Sequence, residues 1–413
     1  MTHASKWAAR AATVLIGFTI LAAPWLFGAW EMWWFWPFAG LIFLATLVSA
    51  GRFLGVLSSK SPSRRLQPDQ PRQRRARRVG LLMLPFLAYA FVRLWQADVF
   101  ADAERSFLLF LTPLLVAFHV VYGMGPDGRQ RLFDLLLLDL CLLGLYGIIN
   151  HAITGSTRVL WREGFEQYYA EGRASGSYFC PDHYAGIMEI GLAMGLALIV
   201  TRGRSWRDGV AGGLLVIIAL WSVIISHSRG AGLTVVVVGA ALLVWGFRQW
   251  RPEVRWSLRA GAVVLGVVLL AGFWQIDSSY TRRFKAYFTV PEGQRGTTAE
   301  LAASLRRRLE RTSRGRMFGG AVRAWATAPV FGIGPGMHQN LWPQVAATAD
   351  GDRERHIRPT LLNNRFHSYE VHSDWLQLLE EYGIVGPILF CIPVVAARRF
   401  LWGGLDRSAR ARD

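Results

Sequence analysis

Long apolar runs separated by short polar breaks occupy most of the chain. A helix needs about 20 apolar residues to cross a bilayer. Ten such runs lie near 13–30, 32–50, 79–97, 106–122, 132–150, 184–200, 210–227, 231–247, 260–275 and 384–397. The pattern predicts an all-α, polytopic transmembrane helical bundle of about ten spans, within a range of ten to twelve. One break is far longer than the rest. Residues 276–372 are the one sizeable hydrophilic segment, so the chain divides in three. A bundle of about nine spans covers 1–275, with a basic linker at 51–78. A helical loop covers 276–372. An amphipathic helix, the last span and a basic tail cover 373–413.

Shorter periodicities give the loop its own structure. In "TTAELAASLRRRLERTSRG", Thr297 stands three residues before Glu300, as in a capping box, and Leu301, Leu305 and Leu309 repeat every four residues. A second helix is predicted over "GRMFGGAVRAWATA", ending at "PVFGIGPG", where Pro329 and the alternating glycines enforce a turn. The loop reads as a small helical cap on the outer membrane surface. In "HSYEVHSDWLQLLEEYGIVG" (367–386), Asp374 followed by Gln377 marks a helix start, with Ser373 as the alternative cap. His372 is then expected in the first turn of a helix that is amphipathic as far as Glu381. Glu380 and Glu381 read either as partners of His372 or as a solvated helix face.

Charge supports the membrane reading. The chain has 413 residues, 52% hydrophobic, with 18 Trp and 24 Phe, too apolar for an ordinary soluble protein. Its net charge of +18 raises the question of nucleic acid, but the distribution answers it. With the N-terminus inside, the short inner segments hold 25 Lys and Arg and the short outer ones 5. That is the positive-inside bias. The basicity is topological, and no nucleic-acid partner is expected. The tract "RRLQPDQPRQRRARR" (64–78) reads as a linker touching anionic lipid. The apolar N-terminal segment resembles a signal peptide, but a second span follows at once, so it reads as an uncleaved first helix. Cys141, Cys180 and Cys391 are scattered and make no disulfide framework or metal signature.

Several polar groups sit where lipid makes them costly. Arg229, in "SHSRGAG" between two spans, reads either as an interfacial arginine or as an anion clamp, whose planar fork grips phosphate oxygens in pairs. Arg314 and Arg316 open a helix whose N-terminal dipole they oppose, and they gain if an anion binds between them. "GIGPG" (332–336) reads first as a structural turn. His372, at the outer mouth of the last span, suits proton transfer from a hydroxyl near neutral pH. His367, five residues earlier, gives no zinc spacing, so no metal site is expected. "SGSYFCPDHYAG" puts Asp182 and His183 at the head of a span that also holds Glu189, for which Arg93 is a candidate partner.

Four patches then resemble one family, the O-antigen ligase and O-antigen polymerase superfamily of polytopic glycan transferases. They are "GSYFCPDHYAG", "SHSRGAG", "RGRMFGGAVRAWATAPVFGIGPG" and "HSDWLQLLEEYGIVG", in order over residues 174–386. The first 170 residues match only as generic spans. The resemblance implies a bundle with one large periplasmic loop in a bacterial inner membrane, and an active site facing the periplasm. It implies transfer of a glycan from undecaprenyl pyrophosphate to an acceptor hydroxyl, that of lipid A-core, without nucleotide sugar, metal or other cofactor. Membrane lipids are the remaining partners. Matched residue by residue, Arg229, Arg314 and His372 fall on the catalytic positions. Arg316, Asp182, His183, His367 and Asp374 are the candidate substrate-binding residues. Phe318 stands where the family commonly has tryptophan, Ser373 where it has asparagine, and "CPDH" replaces an asparagine pair. The alternative within the superfamily is an O-antigen or exopolysaccharide polymerase. The more distant alternative is a small-solute or ion transporter, with Glu189, Arg93 and Asp139 lining a path.

Overall fold

The computed structural model describes residues 3–57, 71–163, 172–202, 206–237, 313–350 and 368–410. Eleven named helices run in order through those residues. They are α1 (His3–Ala22), α2 (Met32–Leu57), α3 (Pro71–Trp95), α4 (Phe100–Phe118), α5 (Pro126–Thr154), α6 (Pro181–Arg202), α7 (Trp206–Ser226), α8 (Ser313–Thr327), α9 (His338–Asp350), α10 (Asp374–Tyr382) and α11 (Val385–Arg410). A further helical stretch occupies 229–237. Six of these segments, α1 to α5 and α7, are long and apolar enough to cross a membrane. They fall on six of the ten predicted runs. The run at 184–200 lies in α6, and that at 384–397 lies in the shorter apolar start of α11. The run at 231–247 is helical as far as 237, while the run at 260–275 and the helix expected after Thr297 lie outside the described residues. Large apolar side chains such as Leu47, Phe91, Ile153, Ile217 and Ile224 face outward, as lipid contact requires. The chain is an all-α, multi-pass membrane protein.

The chain forms two compact units, one of residues 1–55 and 122–289, the other of 56–121 and 290–413. In the first, α5, α6 and α7 pack around Leu140, Leu143, Tyr184, Met188, Leu215 and Ala219. Helices in lipid gain little from water exclusion and associate through close packing. Small residues make that approach possible here. A Cβ on Gly195 would stand 2.9 Å from the carbonyl oxygen of Gly212, and one on Gly144 2.3 Å from Ile218 Cγ2. Tyr184, fully buried, hydrogen-bonds the Gly144 carbonyl (3.1 Å) and Ser222 Oγ (2.8 Å). One short antiparallel hairpin, Arg158–Val159 with Arg162–Glu163, follows α5. No strand was expected there.

In the second unit α3 packs on α4 and α11, and Phe86, Phe110, Tyr382 and Phe390 form a ring cluster at centroid distances of 4.9–6.0 Å. Helix α8 lies on α9 and α10. The glycine turn between α8 and α9 is pressed against the end of α10. The last carbonyls of a helix lack intrahelical donors. Those of Glu380 and Glu381 accept instead from the amides of Ile333 and Gly334, both at 3.0 Å. In return Pro329 and Val330 carbonyls accept from Ile384 N (3.0 Å) and Val385 N (3.4 Å). Gly332 makes this contact possible. Its φ is +77°, and a Cβ there would stand 2.3 Å from Gly383 N and 2.4 Å from Glu381 O. Gly332→Ala is therefore expected to destabilise the protein by about 2 kcal/mol or more. Gly80, in α3 with open space around it, should accept alanine without loss. Thermal unfolding of the two purified variants in one detergent checks the contrast.

Candidate functional site

The first unit holds Arg229, Asp182 and His183. Helix α7 ends at Ser226, His227 takes a left-handed φ of +51°, and the chain is helical again from 229. Two buried serines shape this turn. Ser226 Oγ donates to the Val223 carbonyl (2.7 Å) and accepts from Ser228 N–H (3.2 Å), while Ser228 Oγ receives Ala231 N–H (3.4 Å). Ser228 thus caps the helix whose first residue is Arg229, and Arg229 is half-buried there. The loop ahead of α6 docks on this turn. Ala174 N–H donates to the Ile225 carbonyl (2.9 Å) and Arg173 Nε to the Ser226 carbonyl (3.0 Å). Arg173 Nη2 reaches Asp182 Oδ1 at 2.9 Å. Asp182, in the first turn of α6, is therefore paired with an arginine of the loop that precedes that helix. His183 is exposed in the first turn of α6. Deeper in the bundle, Asp139 accepts from Trp25 Nε1 at 2.6 Å.

The second unit holds Arg314, Arg316, His372 and Asp374. Both arginines are exposed in the first turn of α8. Asp374 is exposed at the start of α10, and Ser373 precedes it with extended backbone. His372 is not in the first turn of that helix, as expected, but ahead of it, exposed, with φ +58°. His367 lies outside the described residues. Arg93 donates to Gln96 (2.7 Å) and the Gly332 carbonyl (2.9 Å), so it holds the glycine turn.

The most buried polar groups of this unit are Glu380, Glu381, His338 and Ser368, of which the sequence singled out only the two glutamates. Glu380 and Glu381 are 0% and 3% exposed, so they form no solvated face. Glu380 faces His338, itself 1% exposed, with Nδ1 at 3.0 and 2.9 Å from the two carboxylate oxygens. His338 Nε2 lies 3.0 Å from Ser368 Oγ, and that hydroxyl donates its proton to the Glu370 carbonyl at 2.7 Å. Nε2 must therefore carry the N–H of this bond, and one proton lies between Nδ1 and the carboxylate. Glu381 accepts from Gly336 N–H (2.9 Å), Gln377 Nε2 (2.9 Å) and Ser106 Oγ (3.3 Å). Burial pushes its carboxyl up to about 7, against the pull of the Gly336 and Gln377 hydrogen bonds and His338, with Glu380 adding to the rise. The Ile333, Gly334 and Gly336 amides of "GIGPG" are spent on this helix end and that of Gly332 on the Ala328 carbonyl (2.8 Å), which makes the segment a structural turn.

A signal for the glutamates was present. Acidic residues at a helix C-terminus oppose the dipole and need partners. His338 and Arg173 carried none, because their partners are 42 and 9 residues away. Among the described residues no three His, Cys, Asp or Glu side chains gather as metal ligands would.

Residues 214–391 match the family described as O-Antigen ligase. No curated protein and no solved structure matches the chain. The matched residues include Arg229, Arg314, Arg316 and His372, together with His338, Glu380 and Glu381. Asp182 and His183 precede them.

Glu381 makes stability depend on pH. Between its ordinary value of 4.5 and about 7, the folded state keeps a proton that the unfolded chain has released. Raising the pH through this window therefore costs stability, and the loss levels off above it. Thermal unfolding of the wild type should show this component between about pH 4.5 and 7. It should be missing from Glu381→Gln.

Proposed function

We propose that this chain, whose residues 214–391 match the O-antigen ligase family, is a membrane glycosyltransferase that acts as a ligase. In this reading it moves a glycan from undecaprenyl pyrophosphate to an acceptor hydroxyl of lipid A-core. The reaction takes place at the periplasmic face of the inner membrane and needs no metal. The observation that carries the mechanism is the exposed His372 imidazole, presented by a left-handed backbone in front of α10, within the matched residues.

The chemistry follows from the residue types. His372 takes the proton of the acceptor hydroxyl as its oxygen attacks the anomeric carbon. The bond from that carbon to the pyrophosphate oxygen breaks, and the electron pair leaves with the diphosphate. The developing negative charge needs fixed cations, and such stabilisation usually lowers the barrier more than any other single effect. Arg229 is assigned this role, as is Arg314. A guanidinium supplies planar donors at any physiological pH. The position of Arg229 at the start of a capped helix adds the favourable end of that helix's dipole. Arg316 and Asp374 are assigned to substrate binding, as are His183 and His367. Asp182 is assigned to the same side of the reaction, with Arg173 as its counter-ion.

Transfer by the reconstituted full-length protein tests these roles. His372→Ala should lower the rate about 10²- to 10⁴-fold, and Arg229→Ala about 10²- to 10³-fold. Wild-type turnover in either variant removes that residue from the mechanism. Deleting the gene tests the reaction class. Full-length glycan stranded on the lipid carrier is the result expected of a ligase. Single repeat units accumulating there would mean a polymerase, and unchanged surface polysaccharide would favour a transporter.

A further inference from the structure

Residues 368–371, which lead into His372, are held by two separate rows of hydrogen bonds. Both rows start from the last turn of α10. The first runs from the Glu380 carboxylate to His338 Nδ1, across the ring to Ser368 Oγ, and on to the Glu370 carbonyl. The second runs from Glu381 Oε1 to Gln377 Nε2, across that amide, and from Gln377 Oε1 to Val371 N–H at 3.3 Å. Every link joins a donor to an acceptor of the right kind. Ser368 and Val371 are buried, whereas His372 is exposed with φ +58°.

A non-glycine residue in the left-handed region costs about 1–2 kcal/mol and persists where its surroundings over-determine it. The two rows supply that determination. They fix the backbone up to the residue before His372, and α10 fixes it from Asp374 onward. His372 is left as the bridge between two clamped segments.

We propose that His338 and Gln377 are positioning residues for His372, their hydrogen-bond rows holding the 368–371 segment so that the imidazole is presented in one orientation. This rests on the reading of His372 as the base. Neither residue touches substrate in this account. Small displacements of a reacting group are costly in rate, so loosening the segment slows the chemical step more than it weakens binding.

Gln377→Met tests the second row, since methionine keeps the length of the side chain but neither hydrogen bond. Ser368→Ala tests the first, and Ser368→Thr restores the hydroxyl. Each variant is made in the full-length protein and reconstituted in lipid nanodiscs. Hydrogen–deuterium exchange of residues 369–373 is measured alongside kcat and KM for the lipid-linked glycan. The expected result is faster exchange in Gln377→Met and Ser368→Ala, with kcat lowered about ten- to a hundred-fold and KM within about twofold. Ser368→Thr should recover most of both. If His372→Ala is inactive while both loosened variants keep wild-type kcat, the positioning role is wrong and the base stands. Unchanged exchange in both variants would equally overturn the clamp. Full activity in His372→Ala would instead remove the base, and the purpose of the clamp with it.

Discussion

Two neighbouring carboxylates withdrawn from water, Glu380 and Glu381, constrain the whole second unit. Burying a charged or hydrogen-bonding group is unfavourable by several kcal/mol unless each lone pair finds a donor. The fold answers with donors drawn from distant parts of the chain. His338 meets one glutamate. The Gly336 amide, Gln377 and Ser106 meet the other. Tyr89 reaches the carbonyl of the following residue, Tyr382, at 2.8 Å. Helices α3, α4, α9 and α10, together with the glycine turn, are thus joined through one short helix end. The glycines follow from this arrangement, because side chains at 332 or 383 would occupy the space the backbones share.

The first unit solves a related problem with different means. Its helices approach closely through Gly144, Gly195 and Gly212. Asp139 has an indole, Asp182 a guanidinium, and the turn at 226–228 is closed by its own serines. The result is a helix whose first residue, Arg229, stands near the end of a span. One unit carries a cation at a capped helix and the other an imidazole on a clamped backbone.

Much of the fold was legible because a bilayer imposes a simple length rule. Apolar runs announced α1 to α5 and α7, and the punctuation at "SHSRG" and "GIGPG" announced real turns. Short motifs singled out Arg229, Arg314 and His372 as candidates. What escaped was what depends on long-range pairing. Nothing near His338 in sequence hints at Glu380, and "LLEEYG" reads as a wet face until its partners are known. The register of His372 slipped for a similar reason. Helix-start rules locate Asp374 and Ser373, but they do not foresee a left-handed residue ahead of the helix. Arg173 was read as one basic residue in a loop. Its role at Asp182 needed the loop's fold back onto α7.

His338 and Glu380 form one buried pair that organises the second unit. A double-mutant cycle on thermal or denaturant stability, with His338→Leu, Glu380→Leu and the pair, tests it most directly. Each single change leaves a buried polar group without its partner and should destabilise the protein by about 3–5 kcal/mol. The double change removes both groups and should cost clearly less than the sum. Losses that simply add would contradict the account.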